Sequence, residues 1–275
     1  MKSIPEDQLI IHAITDPGKR GKINEDAHEV VSFKSEDEGT SILLAIVADG
    51  VGGHKAGEIA SKLAVDAIIT TIKESDLSQP LWALKSALLE ANHAITSRAQ
   101  EDESKKGMGS TIACVLIIDH QLYIASMGDT RIYLIRDGRI RQLTVDHTWV
   151  QEAIENGMLS PQEAREHPRR NLIRSYLGST DPVHPDLRMY FTNRETPEQA
   201  EANQGLPIIP QDMVLLCSDG LTSLVSDHEI LEAFQKISQK AEALQKLIDL
   251  ANHRGGHDDI TAIVIYNPTE DLFLT

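Results

Sequence analysis

The run SILLAIVAD, residues 41–49, holds no polar residue between Ser41 and Asp49. A strand with one wet face alternates apolar and polar side chains, so an unbroken apolar run must be covered on both faces. Similar β-rich runs recur as LIIHAIT (9–15), STIACVLIID (110–119), QLYIASM (121–127), RIYLIRDGRIRQLT (131–144), DMVLLCSD (212–219) and ITAIVIY (260–266). Within the fourth, Asp137-Gly138 supplies the positive φ angles of a type I′ turn and predicts a hairpin. Helical periodicity comes in blocks. Ile59, Leu63, Ala67 and Ile72 mark one helix over 58–74, and Leu81, Leu84, Leu88, Ala91 and Ile95 mark another over 80–99. A second pair falls at 227–236 and 239–253, with Ser226 and Glu229 placed as a capping box. Strands in runs, interrupted by helix pairs, predict an α+β fold: a four-layer α-β-β-α sandwich of two antiparallel sheets, not a doubly wound sheet.

From Asp146 to about Tyr190 the chain turns polar, with short helical signals such as Ser160-Pro161-Gln162-Glu163. This segment reads as a small flap subdomain, and the acidic stretch 192–205 that follows as an exposed loop. With no repeat and no linker, residues 1–275 read as a single domain. The 42 acidic against 26 basic residues, a formal charge of −16, exclude the basic footprint that nucleic acids and anionic membranes require. Cys114 and Cys217 lie inside apolar runs and read as core thiols of a reducing compartment, not as a disulfide or a zinc site. The N-terminus lacks the pattern of a signal peptide, and no run approaches the roughly 18–20 residues of a transmembrane helix. A cytoplasmic location is expected.

The aspartates fall at strand ends. Asp49 closes SILLAIVAD, Asp129 follows YIASMG, Asp219 closes MVLLCSD, Asp258 and Asp259 precede ITAIVI, and Asp26 precedes another apolar run. Glycine adjoins several of them. One Asp-Gly is a turn; a whole set at one sheet edge would be carboxylates that repel and raise one another's pKa. Bound cations relieve that conflict, and an all-oxygen donor set suits Mg²⁺ or Mn²⁺. Scattered turns are the competing reading.

The ordered set NEDA (24–27), ADGVGGHKAGE (48–58), GMGSTIACVL (107–116), SMGDTRIYLIRDGRIRQLTVDH (126–147), RNLIRSYLG (170–178), CSDGLTSLVSD (217–227) and GGHDDITAIVI (255–265) resembles the bacterial branch of the metal-dependent protein phosphatases, the PPM family or type 2C. The resemblance spans about Leu9 to Tyr266. It implies two Mn²⁺ or Mg²⁺ ions at the edge of the sandwich, with Asp49 bridging both, the Gly50 carbonyl, Asp219 and Asp258 completing the shell, and Asp26 with Glu25 at or just outside it. Asp129, with Asp219, matches a third, weaker metal position. The implied reaction is hydrolysis of phosphoserine and phosphothreonine on proteins by a metal-bridging water or hydroxide, with no phospho-enzyme. Implied partners are phosphorylated proteins and a cognate Ser/Thr kinase, with a monomeric enzyme.

The chain departs from the family at Gly21, where relatives carry a phosphate-binding arginine. Arg20 and Lys22 flank it, and Arg20 is the preferred replacement. Asp258-Asp259 replaces the usual Asp-Asn, so Asp259 either adds charge to the site or accepts a supporting hydrogen bond. Val51 stands where many eukaryotic relatives have histidine, and His54 is a candidate phosphate contact. HPRR (167–170) reads equally as a solvated face or as a steering patch, while His147 reads as a residue that fixes the start of the flap. Two alternatives stand beside the phosphatase: a pseudo-phosphatase binding module, favoured by Gly21 alone, and a stress-response phosphatase acting on anti-sigma-antagonist proteins, which usually lacks the hairpin-flap segment present here.

Overall fold

The strand formed by SILLAIVAD shows why that run has no polar residue. In the computed structural model, which describes residues 9–21, 23–35, 39–51 and 56–269, it becomes β3 (Ser41–Val51), the second strand of one antiparallel sheet. Its partners are β2 (Asp26–Lys34) on one side and β5 (Ile112–Ile118) on the other, followed by β6 (Gln121–Met127) and β9 (Leu206–Pro207). The short β4 (Gly109–Ser110) pairs with the end of β3. The other sheet runs β1 (Ile10–Asp16), β11 (Ile260–Tyr266), β10 (Met213–Cys217), β7 (Arg131–Arg136), β8 (Arg139–Gln142), also antiparallel throughout.

Alternate residues of β3 enter two different cores. Ile42, Leu44, Ile46 and Ala48 pack with α1 (Gly57–Glu74) and α2 (Pro80–Glu101). Leu43, Ala45 and Val47 face the second sheet, meeting residues such as Leu134, Val214, Leu216 and Ile263. That sheet is covered in turn by α7 (Asp227–Lys236) and α8 (Lys240–His253), which bury Phe234, Leu244 and Ile248 against Leu215 and Val264. The layers are therefore α-β-β-α, as expected. Asp137 and Gly138 take φ of 51° and 69°, the left-handed pair a type I′ turn needs. Both predicted capping boxes form, at Ser160/Glu163 and Ser226/Glu229.

Segment 146–190 carries α3 (Trp149–Glu155) and α4 (Pro161–Glu166), and isolated bridges Thr148↔Ile173, Ser110↔Leu177 and Ser126↔Asp186 tie its chain together and to the sheet. Residues 192–205 correct the reading as a plain loop: α5 (Pro197–Ala202) forms there. Thr196 and Gln199 build a capping box, Pro197 opens the helix, and Ala200 is buried. The signal is a cap with a single apolar anchor, too short to register as periodicity. Among the described residues no helix is long and apolar enough to cross a membrane.

Candidate metal and phosphate site

Antiparallel pairing brings the strand-end carboxylates to one edge of the sandwich. Asp26 opens β2 directly across from Asp49 in β3. In the facing sheet, Cys217 at the end of β10 pairs with Arg131 at the start of β7 and with Ala262 near the start of β11. Asp219, which opens the short α6 (Asp219–Thr222), Asp129 and Asp258 therefore emerge at the same rim.

Burial is the first cause of their raised pKa values, and mutual repulsion adds to it. Burial pushes the Asp49 carboxyl well above its ordinary range, and Asp26, Asp219, Asp129 and Asp258 push it further. Burial likewise raises Asp129 to about 8, with Asp219 and Asp146 adding to the rise and Arg131 opposing it. Asp26 is raised by burial to about 7 against the opposing hydrogen bonds of Thr261 and Ser218. Asp219 is raised to about 6, by burial first and then Asp258, while Arg131 and Arg20 pull the other way. Two of these carboxylates also carry an oxygen, Asp26 Oδ1 and Asp129 Oδ1, that is buried without a hydrogen-bond partner. Native structures rarely leave such atoms unmatched. The carboxylates are neighbours and not a closed cage: among the described residues no group of three or more His, Cys, Asp or Glu side chains forms a ready-made metal site. The hard oxygen donors, the unmatched oxygens and the uncompensated charge fit divalent cations nonetheless.

The backbone beneath these groups is held firmly. Thr111 N–H (2.8 Å) and Ser110 Oγ (3.0 Å) both donate to the Asp49 carbonyl. Gly50 N–H donates to the Glu25 carbonyl at 3.2 Å, and Ser61 Oγ donates to the same oxygen at 2.6 Å. A Cβ on Gly50 would lie 2.3 Å from the Gly57 carbonyl, so only glycine lets the end of β3 pass this close to α1. The Glu25 carboxylate lies against Gly57, where an added Cβ would meet its Oε1 at 2.6 Å. Asp259 Oδ2 accepts the Glu25 N–H at 2.7 Å, a supporting contact, and its charge also adds to the rise at Asp26.

The structure places Arg20 at the rim. Its guanidinium reaches both oxygens of Asp258 at 3.0 Å, a two-pronged contact. Gly18 N–H bonds Asp16 Oδ1 (2.8 Å) and Lys19 N–H bonds the Gly256 carbonyl (2.8 Å), pinning the 17–20 loop to the 255–258 loop. Gly21 has φ +64°, a left-handed turn that suits glycine and redirects the chain directly after Arg20. Lys22 and His54 lie outside the described residues.

Sequence reasoning passed over Ser218. Its Oγ donates to Asp26 Oδ2 (2.8 Å) and accepts the Thr261 N–H (2.9 Å), so it joins the two sheets beneath the carboxylates. The only sequence signal is its place at a strand end beside Asp219. His257 is exposed. The Thr111 hydroxyl bonds that of Thr130, beside Asp129. Cys114 and Cys217 are buried free thiols, both pushed up by that burial, Cys217 to about 12, and neither is a nucleophile at neutral pH.

A sandwich of two antiparallel sheets with clustered carboxylates at one rim defines a class of metal-dependent hydrolase folds. Residues 18–252 match the family model described as protein phosphatase 2C, and the chain belongs to that family. It is 34% identical over 262 residues to a putative protein phosphatase 2C-type protein of Streptococcus pyogenes, covering 94% of this chain and 97% of that one. It is 38% identical over 221 residues to the serine/threonine protein phosphatase PstP of Mycobacterium tuberculosis, covering 80% of this chain and 40% of the length of that protein. Among solved structures, a PstP catalytic domain in complex with two manganese ions superposes with a TM-score of 0.77 at 33% identity, covering 95% of this chain and 99% of that one.

Proposed function

We propose that the chain is a metal-dependent phosphoprotein phosphatase that hydrolyses phosphoserine and phosphothreonine on proteins. The observation that carries this reading is the rim of carboxylates raised by burial and by one another, with two buried oxygens unmatched and an arginine beside them. In it, Asp49, Asp219, Asp258 and the Gly50 carbonyl hold two divalent ions of the manganese or magnesium kind, with Asp26 and Glu25 at the margin. Asp129 and Asp219 hold a third, weaker one. When bound, such ions acidify a water and draw charge from the phosphoryl oxygens.

The chain's own residues do the rest. Arg20 offers a planar fork to the phosphate, releasing Asp258 as substrate enters. Lys22 and His54 are the further candidates for phosphate contact. Ser218 and Asp259 fix Asp26 and the Glu25 peptide, so the carboxylates cannot swing away from the incoming charge. With both thiols buried and protonated, the side chains offer no cysteine nucleophile, in line with direct attack by water.

Phosphorylated proteins supplied by a Ser/Thr kinase are the substrates, and the enzyme acts in the cytoplasm as a monomer within a signalling circuit. Two buried free thiols favour that reducing compartment. The test is hydrolysis of p-nitrophenyl phosphate and of a phosphothreonine peptide, with and without Mn²⁺. Turnover that requires Mn²⁺ and vanishes with EDTA and in Asp49→Asn is expected; turnover indifferent to both would overturn the proposal.

A further inference from the structure

Asp129 sits on a tight loop, Gly128-Asp129-Thr130, held by Thr111 at Thr130 and by the first residues of the 146–190 segment. His147 meets this loop twice. Its backbone N–H donates to the Gly128 carbonyl at 2.8 Å, and its ring Nδ1 accepts the Gly128 N–H at 3.1 Å. A backbone N–H can only donate, so Nδ1 presents its lone pair and the ring proton resides on Nε2. Nε2 then donates to Asp186 Oδ2 at 3.1 Å. Burial alone would raise the Asp186 carboxyl, but hydrogen bonds from Arg188 and His147 outweigh it and hold the group well below the usual carboxylate range. Asp186 stays an acceptor, and its own backbone is tied to Ser126 at the end of β6 by bonds of 2.9 and 3.0 Å.

The other end of the loop is held by the preceding residue. Asp146 receives Arg131 at 2.9, 3.1 and 2.6 Å, so consecutive residues brace Gly128 and Arg131 from the same side. Gly128 itself has φ +99°, and an added Cβ would lie 2.5 Å from Thr111 Cβ, so the peptide before Asp129 has one tightly fitted path. Asp129 Oδ1, at the end of that path, is buried and unmatched.

We propose that His147, as the Nε2–H tautomer bridging the Gly128 amide to Asp186, is a positioning residue that sets the aim of the Asp129 carboxylate and so the occupancy of the outer, weaker cation position. The cation part rests on the phosphatase reading; the bracing of Gly128 does not. Two substitutions separate the ring nitrogens. His147→Asn places an amide oxygen where Nδ1 stands and can still accept the Gly128 N–H. His147→Gln reaches toward Asp186 and leaves that N–H unmet.

Mn²⁺ binding by calorimetry and hydrogen exchange at the Gly128 amide are measured for both, for His147→Ala, and for each combined with Asp129→Asn. Loss of such a supporting contact lowers metal affinity about 10–100-fold. That drop is expected at the weaker Mn²⁺ step in His147→Ala and His147→Gln, with the tighter steps retained, fast exchange at Gly128, and near wild-type behaviour in His147→Asn. Asp129→Asn alone should abolish the same step, and adding His147→Gln should remove nothing more. Equal weak-step affinity in the Asn and Gln variants, or a loss that adds fully to that of Asp129→Asn, would overturn the proposal. Should His147→Ala fail to fold, the Asn and Gln pair decides. Should the wild-type chain take up no Mn²⁺, the phosphatase reading fails on its own account. Gly128 exchange then decides the bracing: slow with Asn and fast with Gln supports it, and equal rates refute it.

Discussion

The molecule buries two kinds of carboxylate, and they are treated in opposite ways. Asp146, Asp186 and Asp212 each face an arginine: Arg131, Arg188 and Arg136, all at 2.6 Å. Asp26, Asp49 and Asp129 face one another, and two of them hold oxygens with no partner. The first group is closed within the protein, and its charges are spent on holding loops. Among the described residues only Arg131, already engaged by Asp146, and Arg20, at the margin on Asp258, oppose the second group, and neither offsets its rise. Burying a charge without a partner is costly enough that the imbalance implies a countercharge supplied from outside the chain.

The largest effect should come from breaking the unbalanced group. Asp49→Asn removes the carboxylate that the most neighbours repel, and metal-assisted charge stabilisation is worth several kcal/mol, so kcat/KM should fall by about a thousandfold or more in a Mn²⁺-supported phosphopeptide assay. The closed group should respond in stability and not in chemistry. Asp212 is 1% exposed and also accepts the Ile209 N–H at 2.8 Å, so Arg136→Met strands a buried charge. Breaking such a pair costs about 3 kcal/mol or more, read as a lower urea midpoint with kcat unchanged in the surviving folded fraction.

The groups also differ in pH response. Asp26, Asp219 and Asp129 have folded values of about 7, 6 and 8 against an ordinary 3.8, so in that window the folded chain holds more protons than the unfolded one. Stability of the metal-free protein should therefore fall as pH rises through the window. Asp186, held below the ordinary range, has its contribution complete before the window begins and cannot mask the trend. Melting temperatures in EDTA between about pH 5 and 8 check this, a flat or rising profile being the contrary result. The smallest effect is expected at Arg20. Losing a charged two-pronged contact costs about 1.5–3 kcal/mol in binding, so Arg20→Ala should raise KM by about 10–100-fold while kcat changes less.

The layered fold was legible because its constraint is local: a run such as 41–49 has no polar residue to offer water on either face, and the helix pairs carry ordinary periodicity. The rim was legible for a related reason, since Asp49, Asp219 and Asp258 stand at or beside the ends of apolar runs and announce their carboxylates in place. What escaped was whatever depends on distant chain segments meeting. Nothing near Ser218 in sequence points to Asp26, 192 residues away. Nothing in VDHT says that His147 closes on Gly128 or that its other nitrogen finds Asp186. The Gly21 departure was visible, but not that Gly21 takes a left-handed turn directly after an Arg20 held on Asp258. Helix α5 escaped because its stability comes from Thr196, Pro197 and one buried alanine, and not from a stripe.

The claim that the unbalanced carboxylates form a cation site is tested most directly by melting wild-type protein and Asp49→Asn at about pH 7.5, each in EDTA and in Mn²⁺. Removing one of the repelling charges should raise the melting temperature of the variant above wild type in EDTA, and Mn²⁺ should stabilise wild type far more than the variant. A variant that melts no higher in EDTA and gains as much from Mn²⁺ as the wild type would contradict the account.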